Sequence, residues 1–591
     1  MEMKTTEKAY TLHQRTEYPR PQYRRDSWVN LNGKWKFAFD DQNTGEKNQW
    51  FTNPRFSDNI QVPFTYESKA SGIGEEKFHP YVWYHRSFEI PEHEIGKKVM
   101  LRFQASDYQT KVWVNGTFIG EHTGGNAAFS FDITDVVESK IENKLVVKVE
   151  DSQSCYQPRG KQRWRDNNFE CWYVQSTGIW QTVWLEFLNE TNIDRVKITP
   201  NIDTHSVVFD YRLSGSNYDD YKLETVISFN GEMVREFTFR PERSTMRFEI
   251  DLFSDIHRWR VMHWTPENPN LYDVAFRLIK NGEAVDEVES YFGMRKISIK
   301  DGQVLLNNRP LYQKLLLDQG YWPDTLLTPP SDAAIIEDIE KVFAMGFNGV
   351  RKHQKIEDER FLYWADKKGL LVWSEMAATY EFSDEAVDNF TKEWLDIVQQ
   401  HYNHPSIITW VPFNESWGIP NIAKDRKQQT FTESIYYLTK SIDPDRPVIV
   451  NDGWEHTISD IIALHDYEEF GELFYERYKE KDLIVNNEIP HNKHKYAFAD
   501  GYSYKGQPVI ITEYGGIAFK DESGWGYGNQ VNKEEEFLHR YRSITDAIKA
   551  IPYITGYVYT QITDVQQEVN GLLKEDRTPK IALEKIKEIN R

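Results

Sequence analysis

The chain has 591 residues, 71 of them Lys or Arg and 92 Asp or Glu, giving a formal net charge of −21. That length exceeds what one core serves, so about three or four domains are expected. The acidic balance, with no long basic run, excludes a nucleic-acid or anionic-membrane surface.

Met1 to Lys8 holds no apolar leader core, and no stretch reaches the ~18 apolar residues of a membrane span, so a cytoplasmic protein is expected. Only Cys155 and Cys171 are present, too few for a disulfide framework, and two unpaired thiols are expected. Asn115, Asn189 and Asn389 open glycosylation sequons, which are chance matches without a secretory signal.

Aromatic residues make up 14% of the chain, a β-rich composition that also supplies stacking surfaces. From about Tyr23 to Leu188 the pattern is strands and turns. Its clearest element is Lys111–Gly120, two alternating runs on an Asn115-Gly116 turn, which predicts a hairpin. A long polar, basic and aromatic loop from Tyr156 to Asp166 interrupts this all-β region, and loops of that length are usually functional or disordered. From Ile193 to about Ile297 short alternating strands with turns at Asn230-Gly231 and Asn281-Gly282 suit an immunoglobulin-like β-sandwich.

After about Ser298 strands alternate with helical patterns. Helices are predicted over 331–345, 358–368, 385–402 and 429–441. Strands are predicted at 311–317, 347–353, 369–375, 406–415, 447–451, 460–467, 509–512 and 553–561. Eight strands with intervening helices fit a (β/α)8 TIM barrel, whose chemistry sits at the carboxyl ends of the strands. Glu415 ends the fourth strand and Glu513 the seventh. A single acid at a strand end is more often a helix cap or a solvated loop residue. Two of them, each after a strand too apolar to lie on a surface, supply the pair that glycoside hydrolysis uses.

Phe413-Asn414-Glu415-Ser and Thr512-Glu513-Tyr514-Gly515, with Asn348–His353 and Gly369–Glu375, resemble glycoside hydrolase family 2 over nearly the whole chain. The resemblance implies a jelly-roll-like sugar-binding domain at 1–190, the immunoglobulin-like β-sandwich at 191–297 and the catalytic barrel at 298–591. It implies a retaining exo-β-glycosidase with Glu415 as acid/base and Glu513 as nucleophile, and neither cofactor nor metal. Asn414 would bind the sugar 2-hydroxyl, and Tyr467 would orient Glu513. His353, Glu375 and Trp454 would line the sugar site, and Arg351 would hold a carboxylate.

Three departures bear on the substrate. Glucuronide-specific members carry an Asn and a Lys before the Gly of the last segment, where this chain reads Glu568-Val-Asn570-Gly571. The acid there disfavours an anionic sugar unless Arg159, Lys161 or Arg163 reaches in from the first domain. The first strand offers Asp318-Gln319, with Asp318 a candidate for hydroxyl recognition, and the eighth strand has Tyr559 and Gln561 where members commonly place a Trp.

His401 with His404, and His491 with His494, have metal-like spacing but no acid completing a zinc motif, and solvated side chains are expected. No P-loop, dinucleotide fingerprint or nucleophile elbow is present. The expected partner is a small carbohydrate, most consistent with a β-D-galactoside. A β-glucuronide, β-galacturonide, α-L-arabinopyranoside or β-mannoside would leave the same two acids in place. Two rivals stay open: a non-catalytic sugar-binding protein on the same fold, and a homo-oligomer using the 159–165 loop as a subunit contact.

Overall fold

The computed structural model describes residues 15–253, 261–520 and 522–591. The segment from Met1 to Lys8 therefore lies outside the described residues. Among the described residues the three largest hydrophobic cores follow one another along the chain.

In the first, a six-stranded antiparallel sheet faces a four-stranded one, burying Trp35, Phe37, Tyr84, Leu101, Phe103, Leu145 and Leu185 between them. Gln109–Val114 and Thr117–Thr123 form the expected hairpin. Asn115 (φ 51°) and Gly116 (φ 81°) both take the left-handed backbone that its tight turn requires.

The second sandwich packs a three-stranded sheet on a five-stranded sheet around Phe209, Tyr211, Leu223, Phe276 and Val288. Tyr23–Arg24, at the start of the first all-β region, instead pairs with the edge of this sheet through Tyr23 and Ser290. The joint between the sandwiches is ionic: Glu186, fully buried, meets Arg25 at 3.2 Å and accepts from Arg102 at 2.7 Å. Burial pushes its carboxyl up, but Arg102, Arg25 and Arg20 outweigh that and hold it near 2.

The third core is the barrel. Its parallel strands are Gln313–Asp318, Gly349–Lys352, Leu371–Glu375, Ile407–Val411, Ile462–His465, Val509–Gly515 and Ile554–Thr560. They form one curled sheet in which the first strand lies beside the eighth. The predicted fifth strand, 447–451, does not pair continuously. Val448 makes a single parallel bridge to Trp410, and only Asn451–Asp452 forms a ladder, with Phe413–Asn414. Pro412 and Pro447 each remove a backbone donor from this seam, which breaks it into pieces.

The first four helices of the barrel are α1 (Asp332–Ala344), α2 (Glu359–Lys368), α3 (Asp384–His401) and α4 (Arg426–Ile442). They are capped by Ser331, Asp358, Ser383 and Asp425, whose side chains accept first-turn amides. Among the described residues no helix is long and apolar enough to cross a membrane.

Three of the four metal-spaced histidines are buried, contrary to the solvated reading. His404 Nδ1 lies 2.6 Å from Asp366, His491 Nε2 lies 3.0 Å from the Gly453 carbonyl, and His401 is 1% exposed. His494 alone is exposed. Cys155 and Cys171 are unpaired thiols.

Candidate active site

Side chains alternate along a barrel strand, so Arg351, near the carboxyl end of the second strand, points inward and is fully buried. Its guanidinium organises the mouth. Nε donates to Glu375 at 2.6 Å and lies 3.0 Å from Asp452, while Nη1 donates to Glu513 at 2.9 Å. Nη2 donates to Oδ1 of Asn414 at 2.6 Å, leaving the Asn414 Nδ2 buried without a hydrogen-bond partner among the described residues. A buried amide donor left open is costly unless a ligand takes it up.

Glu513 is 4% exposed and also accepts from the Tyr467 hydroxyl at 2.5 Å. The Tyr467 ring stacks on Tyr527, with centroids 3.4 Å apart. Burial pushes the Glu513 carboxyl up, but His465 and Arg351 outweigh that and hold it below its ordinary range. Glu415 follows Asn414 with φ 50°, and Ser416 continues with φ 62°. Two successive non-glycine residues in the left-handed region are a local strain of the kind held at functional sites. The turn brings a Glu415 oxygen within 4.8 Å of one from Glu513. His465 lies between them, its Nδ1 2.9 Å from Glu415 and 3.5 Å from Glu513. Arg351 and His465 set positive charge beside the two carboxylates.

The long loop of the first domain covers the mouth of its own chain's barrel. Arg159 and Gly160 donate backbone N–H groups to the Ala378 carbonyl at 3.0 and 3.2 Å, and Asn168 donates to Gln566 at 2.6 Å. Tyr173 donates its hydroxyl to Glu568, whose other oxygen accepts from Asn570 at 3.1 Å. Lys161 is buried, with its Nζ 5.2 Å from the centroid of Trp417. Burial pushes its ammonium down, but Cys171 and Glu568 raise it above its ordinary value, so it stays charged.

Three matches to known families divide the chain. The sugar-binding domain of glycosyl hydrolases family 2 matches residues 28–186, a further family 2 model matches 191–295, and the family 2 TIM barrel domain matches 297–591. The chain belongs to glycoside hydrolase family 2.

Among curated family 2 relatives, a β-galactosidase of Thermoanaerobacter pseudethanolicus is 27% identical over 542 residues, covering 89% of this chain and 64% of that protein. This chain thus spans less than two thirds of that relative's length. A β-glucuronidase of Streptococcus agalactiae is 23% identical, covering 94% of this chain and 95% of its own. The solved β-glucuronidase of Ruminococcus gnavus in complex with N1-substituted uronic isofagomine superposes with a TM-score of 0.78 at 20% identity, covering 97% and 99% of the two chains. That likeness establishes the shared fold.

Of the residues singled out in the sequence, Glu415, Glu513, Asn414, Tyr467, Arg351 and His353 meet in this one cluster. Trp454 borders it, edge-on to His465 with centroids 5.7 Å apart. Gln561 lies on its floor, accepting from Gln319 at 2.9 Å and donating to Asn570 at 2.7 Å.

Four others do something different. Glu375 is fully buried, and its oxygens are taken up by Arg351, His353 and Gln354, so neither is left for a sugar hydroxyl. Asp318 is consumed by Lys352 at 2.7 Å and the Gly320 amide at 2.8 Å. Tyr559 faces out of the barrel, against Tyr514 and Tyr541, in the layer between strands and helices. Arg159 donates to the carbonyls of Ser152, Ser154 and Arg163, which knits its own loop together. Of the basic residues in that loop, Lys161 is the one whose charge is felt at Glu568 and Glu513.

His465 and Asp452 escaped the sequence reading. Both had a signal, since Asp452 is a further acid after an apolar run and His465 stands two residues before Tyr467.

Proposed function

We propose that this chain is a retaining exo-β-glycosidase that removes a neutral terminal sugar, a β-D-galactoside, from small glycosides. The separation of Glu415 and Glu513 supports the retaining mechanism, since it lies near the ~5–5.5 Å of double displacement and short of the ~6.5–9.5 Å that leaves room for an attacking water. Glu513, ionised by its cationic neighbours, attacks the anomeric carbon while Glu415 protonates the departing oxygen. The resulting glycosyl ester is then opened by a water whose proton Glu415 takes, and the sugar leaves with its configuration retained. Asn414 Nδ2 is the donor for the 2-hydroxyl.

Glu568 carries the choice of a neutral sugar. This carboxyl, its oxygens accepting from Tyr173 and Asn570, stands beside the sugar site and would oppose a uronate. Gln561, Asn570 and Glu568 are joined in one hydrogen-bonded chain.

One observation favours a second reading, a β-glucuronide or β-galacturonide. Lys161 keeps a buried positive charge next to Glu568, and burial pushes the Glu568 carboxyl up despite that lysine. On this reading Lys161 is the cation that would pair with a sugar carboxylate.

Nitrophenyl β-D-galactoside, β-D-glucuronide and β-D-galacturonide separate the two. The galactoside is expected to have the highest kcat/KM, by at least about 100-fold, and Glu568→Gln to narrow that gap. A uronide turned over faster rejects the neutral-sugar reading. Glu415→Gln is expected to lower hydrolysis of an aryl glycoside by about 10²–10⁴-fold, and Glu513→Ala to abolish it. Full activity in either variant rejects the assignment.

A further inference from the structure

His465 is the group that touches both members of the carboxylate pair. It ends the sixth barrel strand, fully buried, and its ring is fixed on every side. Nε2 lies 3.1 Å from Oδ1 of Asp452, at the broken fifth strand, and 3.4 Å from Nη1 of Arg351 on the second. Nδ1 faces Oε1 of Glu415 on the fourth-strand turn at 2.9 Å and Oε2 of Glu513 on the seventh strand at 3.5 Å. Trp454 closes one edge. Gly453 accepts the His465 backbone N–H at 3.2 Å, and with φ 109° it has no β-carbon to meet the ring, which would lie 2.9 Å away.

The charges around this ring leave it cationic. Burial holds His353, His456 and His491 below their ordinary values, near 4 for His456 and near 3 for His491, so these neighbours are neutral. Burial also pushes His465 down, but Glu513 and the hydrogen bonds to Asp452 and Glu415 raise it to about 10. An imidazolium with Asp452 behind it donates through Nδ1 to Glu415.

We propose that His465, oriented by Asp452, is a positioning residue that holds the Glu415 carboxyl in place for the second half of the reaction, in which water opens the glycosyl ester. This rests on the acid/base reading of Glu415. His465 engages Oε1 and leaves Oε2 to meet the water. In that step the water oxygen bonds to the anomeric carbon, the bond from that carbon to the Glu513 oxygen breaks, and Glu513 departs with the electron pair as a carboxylate. The water proton passes to Glu415. His465 gives up no proton in the step. It fixes the base in place.

The two half-reactions can be read apart with a 2,4-dinitrophenyl glycoside, whose leaving group needs no acid. For that substrate kcat/KM reports formation of the glycosyl-enzyme, and kcat reports its hydrolysis. Compared on the pH plateau above the acid limb, where Glu513 is ionised in variant and wild type alike, His465→Asn and His465→Gln are expected to lower kcat about 100-fold, change kcat/KM only a few-fold, and lower KM to match. Added azide, which attacks without a base, should restore kcat. Equal losses in kcat and kcat/KM, with no azide rescue, overturn the proposal and leave His465 a structural residue.

Glu415→Ala is the reference. If it lacks the same split and the same rescue, the acid/base reading itself falls. If Glu415→Ala shows them and the His465 variants do not, only the role of His465 falls.

Discussion

Arg351 shows how one side chain sets the state of several others. It is buried against Glu375, Asp452 and Glu513, three carboxylates that would otherwise repel one another in a poorly solvated space. Arg351→Lys keeps a charge but loses the planar fork that reaches three directions at once. Because Arg351 is among the groups holding Glu513 down, its loss raises the Glu513 carboxyl. The acid limb of the kcat/KM profile should therefore move to higher pH in Arg351→Lys. An unmoved limb would show that the remaining neighbours, His465 and Tyr467 among them, set Glu513 without Arg351. At this scale the sequence was readable where a residue type and a strand end coincided, as for Glu415 and Glu513. It failed where parity or pairing decides. Val558 faces the barrel interior and Tyr559 the outer layer, a difference of one position that reverses the facing of a side chain. Asp318 and Glu375 are strand-end acids with the same local signature as the catalytic candidates. Only the cations brought in from other strands show that they are already occupied.

The covering loop depends on Gly160 in the same way. That residue has φ 58°, and a β-carbon on it would overlap the Gln354 carbonyl oxygen. Gly160→Ala is expected to lift the loop from the barrel and carry Lys161 away from Trp417. The result should be a fall in kcat/KM of about 10–100-fold, since small displacements near a reacting centre are that costly. Near-ultraviolet circular dichroism should register the loosened Trp164, Trp172 and Trp417 cluster. Unchanged kinetics would mean that the loop is only an ornament of the first domain. Elements with regular local patterns were legible: the Asn-Gly hairpin and helices α1 to α4 fall within a few residues of their expected places. The fifth strand was not, because its partner segments are interrupted by prolines that no apolar count registers.

Across the whole molecule, the first sandwich and the barrel are joined by a carboxyl whose protonation depends on burial. Glu393 on α3 is 3% exposed and accepts the Asn126 backbone N–H at 2.5 Å and its side-chain amide at 3.1 Å. Burial pushes it up to about 7 despite these donors. Between about 4.5 and 7 the unfolded chain has released this proton and the folded chain keeps it, so its stabilising contribution is lost as pH rises through that window. Tm measured from pH 5 to 8 should fall less steeply in Glu393→Gln than in the wild type, and parallel curves would rule the group out.

The division of the mouth between two cores carries a consequence for how such an enzyme diversifies. Bond cleavage rests on barrel groups, whereas Lys161 and Tyr173 arrive on a segment folded by a separate domain. Drift confined to that segment can retune which sugar is admitted while the machinery beneath stays intact. On the proposed reading, substitutions in that segment would alter the approach to the mouth while leaving the carboxylate pair and Arg351 in place.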